Sequence, residues 1–317
     1  MSDRSKPLVS VVVPTRGRPH RLARLLAGLR AQTLAPDGFE VIVVADGATE
    51  ETRTLLAREQ AHAGFKLRIA EHPAARGPAA ARNTGWRLAA AQLVAFTDDD
   101  CVPAPQWLTA ALEATSAGTV IQGRTEPDPS ELPNQGTFTR TLQITSLGPQ
   151  YETCNIFYPR AVLEALGGFD EGYGLTPGGE DTDLAWRAIS AGWHTAFVPE
   201  ALVFHAVEQL GVAGMLRVAA RWSSTMRVFA DHPQTRSALY MGVFWSRWHY
   251  LLSRSLLALA GPVWLRRLIL ARHLLELRRR ARAGGAGSAA IPFLILHDLV
   301  ECWAVARGAV RYRTFVL

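Results

Sequence analysis

Short, wholly apolar runs, each ended by Pro, Gly or Asp, alternate with amphipathic stretches along the N-terminal part of the chain. The run at 8–13 is strongly β-prone and is broken by Pro14-Thr15-Arg16-Gly17-Arg18-Pro19. Leu22, Leu25, Leu26 and Leu29 then recur at three and four, which predicts an amphipathic helix with Pro19 in its first turn. The same alternation repeats as a strand at 39–44 ending in Ala45-Asp46-Gly47, a helix at 50–61, a short strand at 67–70, an alanine-rich helix at 77–91 and a strand at 93–96. Strands that alternate with helices in this way imply a parallel sheet with helices on both faces.

The second half of this region is less regular. A helix is expected at 106–117, a short strand at 119–122, and then a long loop at 124–152, rich in Pro, Thr, Gly and Gln. A loop of that length inside a compact domain is usually functional or mobile. Order returns with a strand at 155–158, a helix at 159–166 and the turn Gly167-Gly168-Phe169-Asp170. Gly172, Gly174, Pro177, Gly178 and Gly179 lead into Glu180-Asp181-Thr182-Asp183, followed by a helix at 184–191 and strands at 193–198 and 201–204, the last ending at His205. From residue 206 onward the pattern is helical: 212–230, 239–259, 263–282, a glycine-rich break at 284–287, and 291–311. This divides the chain into residues 1–205 and 206–317, and no internal repeat is present.

Composition changes this picture only in detail. The 317 residues are 48% hydrophobic and 20% charged, as in an ordinary folded protein. Cys101, Cys154 and Cys302 are widely spaced and form no C-x-x-C pair, which argues against a disulfide framework or zinc site and fits a reducing compartment. The apolar run after Met1 to Lys6 is too short for a signal peptide, and none of the later runs reaches the roughly 18 uncharged residues of a membrane span. The 289–296 run, for example, meets His297 and Asp298. The expectation is therefore a cytoplasmic protein. The net charge of +6 is carried by arginine, since Lys6 and Lys66 are the only lysines. Arginines and Trp222, Trp245, Trp248, Trp264 and Trp303 concentrate in the C-terminal helices. Those helices are expected to pack a core or a homo-oligomer interface, or to dock on an anionic bilayer at the inner face of the cell membrane, because an amphipathic basic helix with tryptophan on its apolar side can lie in the interface.

The chemistry concentrates where Leu93-Val94-Ala95-Phe96-Thr97 runs into Asp98-Asp99-Asp100. These carboxylates stand at the C-terminal end of a strand, the edge at which open α/β sheets bind ligands. Adjacent hard oxygen ligands suit Mg²⁺ or Mn²⁺ holding a phosphate. Taken alone, the same residues also make a polar turn in which one Asp caps the next helix.

Six features in order resemble the family 2 inverting glycosyltransferases of GT-A fold: Val11-Val12-Val13-Pro14-Thr15, Asp46-Gly47, Ala81-Arg82-Asn83-Thr84-Gly85, Asp98-Asp99-Asp100, Gly167-Gly168-Phe169-Asp170 and Glu180-Asp181-Thr182-Asp183-Leu184. The match covers about residues 8 to 205; Ala45 and Ala48 depart from the common pattern, which often has an acid and a serine there. The resemblance implies a Rossmann-like, mostly parallel central sheet with a helical C-terminal extension. It also implies a nucleotide-diphosphate sugar donor, UDP or dTDP favoured, a Mn²⁺ or Mg²⁺ ion, and transfer of a hexosyl or deoxyhexosyl unit with inversion to a hydroxyl acceptor. That acceptor is a saccharide, a lipid-linked saccharide or a small molecule, as in the synthesis of cell-surface polysaccharide, glycolipid or glycosylated metabolites.

Carried onto this chain, Asp46 accepts a hydrogen bond from the ring N–H of the base. Pro14, Thr15 and Arg18 form the other wall of the base and ribose site, and Arg82 faces the nucleotide with its guanidinium fork. Asp100 is the direct metal ligand, Asp98 serves ribose or metal, Asp99 lies between them, and His205 completes the metal site. Asp181 is the general base, kept ionised by its place at a helix start, with Glu180 and Asp183 as competitors for the role. Acceptor specificity is expected in the 124–152 loop, at Asn155 and in the C-terminal region. A nucleotidyltransferase would share the acidic turn but lacks here its N-terminal glycine-rich signature. The remaining rival is an inactive sugar-nucleotide-binding protein, or a membrane- or nucleic-acid-binding module built on the basic C-terminal region. Retention of every acid in the motif set argues against it, and no nucleic-acid partner is expected.

Overall fold

The computed structural model describes residues 6–116, 118–176 and 178–317. The chain separates into two compact units, Met1–Pro129 with Thr141–Ala206, and Ser130–Arg140 with Val207–Leu317.

The first unit is an α/β layer structure. Its elements run β1 (Val9–Thr15), α1 (Pro19–Arg30), β2 (Phe39–Asp46), α2 (Glu50–His62), β3 (Lys66–His72), α3 (Pro78–Leu88), β4 (Leu93–Thr97), β5 (Cys101–Pro103), α4 (Trp107–Glu113) and β6 (Thr119–Pro127). After β7 (Thr139–Arg140), which belongs to the second unit, come β8 (Asn155–Pro159), α5 (Arg160–Leu166), α6 (Glu180–Ser190) and β9 (His194–His205). One eight-stranded sheet has the order β3-β2-β1-β4-β8-β6-β9-β5. The four strands β1 to β4 pair in parallel, as does β6 with β9, whereas β8 runs antiparallel to β4 and β6, and β5 antiparallel to β9.

The apolar runs lack polar alternation because both faces of these strands are covered. Val9, Val11 and Val13 of β1 point to one core, with Leu22, Leu25, Leu26 and Leu29 of α1 and Trp107 and Leu108 of α4. Val12 points to the opposite core, with Ala79, Ala81 and Trp86 of α3 and Leu184 and Ala188 of α6. Helices therefore lie on both faces, as the pattern predicts.

Differences from the sequence reading have local causes. The strand expected at 119–122 extends to Pro127, bridging Thr125 to Ile144 and shortening the expected loop. The two strands expected around 193–204 are one irregular strand, whose register against β6 slips between Gly123 and Thr125. The helix expected at 106–117 ends at Glu113, and its expected end at Ala117 lies outside the described residues, as does Pro177 of the glycine-rich lead-in.

The second unit contains β7 paired with β10 (Glu208–Gln209), then α7 (Gly211–Ala220), α8 (Met226–Asp231), α9 (Arg247–Ala258), α10 (Val263–Ala283) and α11 (Ile291–Arg311). The helix expected at 212–230 is interrupted by a 3-10 turn at Arg221–Ser223, where hydroxyl-bearing residues accumulate. The helix expected from 239 starts instead after Ser246, whose Oγ accepts from the His249 amide as an N-cap. One segment comes near a membrane span in length and apolarity, although Asp298 and Glu301 keep it from being an uncharged run. The segment Ser288–Arg311 is long and apolar enough to cross a bilayer by length and composition, with a mean hydropathy of 1.6 over an 18-residue window of which 33% is buried within the protein. His297 and Asp298, which interrupt the run in sequence, are both buried, and Asp298 accepts from Arg280 at 2.8 and 2.9 Å.

Candidate active site

The acidic turn is tight: the Cys101 amide donates to the Asp98 carbonyl at 3.1 Å and the chain re-enters the sheet at once as β5. This three-residue strand pairs Cys101 with His205, and the Ala206 amide donates to the Asp100 carbonyl. A residue distant in sequence is thereby set beside the turn. Asp100 Oδ1 has no hydrogen-bond partner and faces His205 Nε2 at 3.8 Å. His205 Nδ1 lies 2.8 Å from the Ala206 carbonyl, an acceptor, so Nδ1 carries a proton and Nε2, turned towards Asp100, is the nitrogen that can offer a lone pair to a cation. An orphaned carboxylate oxygen and an imidazole lone pair, both buried and mutually facing, fit a divalent cation. Cys101 lies within the same cluster, but its hydrogen bond with Cys154 and its burial push the thiol well above its usual range, so oxygen and imidazole are the available donors.

Asp99 and Asp100 already have a counter-charge. Arg18, projecting from the turn after β1, places NH2 2.5 Å from Asp99 Oδ1 and NH1 2.6 Å from Asp100 Oδ2. Thr15 Oγ1 donates to Asp99 Oδ2 at 2.6 Å. Burial nonetheless raises Asp99 to about 7, with Arg18 opposing and the neighbouring Asp100 adding to the rise. Asp98 goes the other way: against the penalty of burial, the charge and hydrogen bond of Arg82 hold it below the usual carboxylate range.

Arg82 is expected to face the nucleotide; it is instead buried, with NH2 donating to Asp98 at 2.8 Å and NH1 donating to Glu180 at 3.0 Å. Its two terminal nitrogens thus tie the acidic turn to the head of α6. The rest of its motif is equally committed. Asn83 holds the Phe169 backbone on both sides, Thr84 Oγ1 lies 2.9 Å from His72 Nε2, and a Cβ at Gly85 would run into Val12.

The three acids at the head of α6 differ in their surroundings. Glu180 accepts from Arg82 and from the Gly178 amide, and Asp183 accepts from Arg187 Nε at 2.8 Å while Arg187 also donates to the Leu166 and Gly168 carbonyls. Asp181 accepts from the Thr182 amide at 2.8 Å and, alone of the three, has no ion-pair partner among the described residues. Asp181 is expected to be kept ionised by the helix start. Burial and the adjacent Glu180 outweigh that field and raise it to about 8, although Arg82 opposes them.

Asp46 closes β2 at the same sheet edge. Its Oδ1 accepts from His72 Nδ1 at 2.7 Å and from the Arg76 amide at 2.8 Å, and its Oδ2 accepts from the Gly77 amide at 2.9 Å. His72 was not legible in the sequence; the register of β2 with β3, which sets Asp46 opposite His72, is what reveals it. Pro14 lies at the C-terminal end of β1 opposite Val44, next to Thr15. Asn155 has a different place from that expected. It is fully buried, accepts from Trp107 Nε1, and donates to the Arg124 and Ala201 carbonyls, all at 2.7 to 2.8 Å, so it is part of the core.

The C-terminal ends of β1, β2 and β4, with the head of α6 and the end of β9, therefore gather these residues along one edge of the sheet. Two family models match the chain, glycosyl transferase family 2 over residues 10–165 and glycosyl transferase family group 2 over residues 135–298. Among curated relatives, a pre-mycofactocin glycosyltransferase of Mycobacterium tuberculosis is 32% identical over 62% of this chain and 42% of its own length. The glycosyltransferase AglE of Haloferax volcanii is 30% identical over 65% of this chain and 69% of its own. The chain thus spans less than half the length of the mycobacterial relative. A mannosyltransferase of Pyrobaculum calidifontis, solved with GDP-Man and Mn²⁺, superimposes with a TM-score of 0.64 at 20% identity, over 94% of this chain and 88% of that one. With the GT-A sheet, the acidic turn and both family models in agreement, the chain belongs to glycosyltransferase family 2.

Proposed function

We propose that the first unit transfers a hexosyl or deoxyhexosyl unit from a nucleotide-diphosphate sugar to an acceptor hydroxyl, with inversion, in the presence of Mn²⁺ or Mg²⁺. The observation that carries this reading is the buried donor pair Asp100 Oδ1 and His205 Nε2, on the sheet edge that also holds Asp46 and Asp181. Asp100 and His205 would hold the cation, which neutralises charge on the diphosphate leaving group. The Pyrobaculum neighbour, solved with GDP-Man and Mn²⁺, supports a nucleotide-sugar donor and a metal.

Asp46 supports a choice of base. An ionised carboxylate offers roughly four acceptor sites, and three are taken by His72, Arg76 and Gly77. The remaining one matches the single ring N–H of uracil or thymine better than the paired N–H donors of guanine. UDP and dTDP sugars are thus favoured over GDP sugars.

Asp181 is the general base of this reading. Its carboxylate takes the acceptor hydroxyl proton as that oxygen bonds to the anomeric carbon and the bond from that carbon to the diphosphate oxygen breaks. Glu180 and Asp183 are held in ion pairs and act as supports for the loop and helix around it. Because Asp181 is raised to about 8, the competent carboxylate form is gained as pH rises, and the transfer rate should increase with pH and level off above about 8. Asp181→Asn should fold, bind UDP as the wild type does, and lose roughly 10²- to 10⁴-fold in rate. Donor hydrolysis or transfer measured from acidic to alkaline pH tests both. A flat profile, or an Asp181→Asn rate equal to the wild type, would remove Asp181 from the role.

A further inference from the structure

We propose that the outer face of α10 in the second unit docks on an anionic phospholipid bilayer, lying in the plane of the interface. This does not depend on the chemistry of the first unit.

The 21-residue helix α10 has two apolar sides. One is internal: His273, Leu277 and Ala281 are buried, and His273 Nδ1 lies 2.7 Å from Ser255 Oγ of α9. Trp264, Leu268, Ala271 and Leu275 recur on the other side. At 100° per residue they fall within an arc of about 60°, roughly opposite the buried side. Trp264 is 69% exposed, Leu268 62% and Leu275 48%. The end of α9, the turn after it and the first residue of α10 add Leu256, Leu257, Leu259 and Val263, all more than half exposed. A tryptophan and a row of leucines left in water mark an interaction surface, since scattered single residues are normal but a contiguous stripe is not.

Charge identifies the occupant. The α10 sequence contains seven arginines and one acid, Glu276, which is already paired with Arg247 at 3.2 Å and Arg279 at 3.0 Å. Arg267 and Arg272 fall on either side of the apolar stripe, and Arg278, Arg279 and Arg282 crowd its C-terminal end. A second copy of this chain would set arginine against arginine across the stripe. Nucleic acid would satisfy the charge but would leave the aliphatic row without a partner, because single strands are held by stacking on aromatic faces. A bilayer with acidic headgroups satisfies both. Leucine and tryptophan enter the acyl boundary while the arginine stems reach back to the phosphates.

The test is co-sedimentation of the full chain with vesicles of phosphatidylcholine alone or with about 30 mol % phosphatidylserine at about 0.1 M salt. Binding is expected to the anionic vesicles, weak binding to the neutral ones, and weakening at high salt. Each basic residue at an anionic surface contributes about fivefold in partitioning, so Arg267→Gln with Arg272→Gln should reduce binding roughly 25-fold. Trp264→Ser with Leu268→Ser should reduce it at least comparably. Both pairs are at the surface, and an unchanged circular dichroism spectrum confirms that the variants fold. Failure of the folded wild type to bind anionic vesicles overturns the proposal. So does wild-type binding by both double variants, or loss of binding through Trp303→Ser on α11 with the α10 variants unaffected, which would place docking elsewhere. Tight retention of a polyuridylate RNA that is lost in the arginine pair but kept in the Trp264, Leu268 pair, without vesicle binding, would make the face a nucleic-acid site.

Discussion

At Arg82 the two terminal nitrogens reach acids from different elements, Asp98 after β4 and Glu180 at the head of α6, and all three groups are wholly or largely enclosed. Removing the cation strands two carboxylates. Breaking a buried pair in that way costs about 3–5 kcal/mol, so Arg82→Gln should lower the unfolding free energy by that amount, read as a lower denaturant midpoint at unchanged slope, and a loss below about 1 kcal/mol would contradict the network. His72 acts on Asp46 in a similar but smaller way. His72→Phe should weaken UDP binding about tenfold, as expected for one hydrogen bond to a charged group; calorimetry showing unaltered affinity would assign Asp46 its orientation from the Arg76 and Gly77 amides alone. At this scale the acids were legible as candidates, because Asp46 and Asp98 to Asp100 stand at strand ends and Asp181 stands at a helix start after a glycine-rich lead-in. Their partners were not. Arg18 reads as a nucleotide contact and is found on Asp99 and Asp100, and Cys101 and Cys154 look unrelated until the sheet brings them together.

Among the elements, β5 has the largest effect on the site for its length. It is three residues long, contains Pro103, and was missed in the sequence because proline argues against a strand. As the outermost strand of the sheet it needs no donor on its free side, so proline is tolerated there. Its pairing with β9 sets His205 beside Asp100. The loop before α6 is fixed by a different device. Gly168 has φ +80°, and a Cβ there would meet the Asn83 amide and the Trp86 ring nitrogen. Gly168→Ala should therefore destabilise by at least the ~1–3 kcal/mol typical of overpacking, and the penalty should appear as a lowered thermal midpoint; an unchanged midpoint would mean that the loop is not held against α3. Strands such as β1, β2 and β4 were legible because both faces are buried and the run is uninterrupted. The helix breaks at Arg221–Ser223 and before Ser246 were not, because hydrophobic periodicity continues across residues whose hydroxyls favour turns and caps.

Across the whole molecule, the motifs that resemble family 2 fall within the first unit, and the second unit carries a separate signature of exposed tryptophan, leucine and arginine. The 130–140 stretch of the long loop clusters with the C-terminal helices rather than with the sheet, an exchange of segments that no local pattern announces. The central claim concerns the first unit: a cation held by Asp100 and His205 and a uracil- or thymine-type nucleotide held by Asp46 are bound together. The most direct measurement is calorimetric titration of UDP, dTDP and GDP into the folded protein with Mn²⁺, with Mg²⁺ or with EDTA, repeated on His205→Ala. The account predicts binding of UDP or dTDP that requires the metal, weaker binding of GDP, and a loss of at least about tenfold in the His205→Ala protein, as for removal of a group that orients or ligates a metal. Nucleotide binding that is indifferent to EDTA and to His205→Ala, or a preference for GDP, would contradict it.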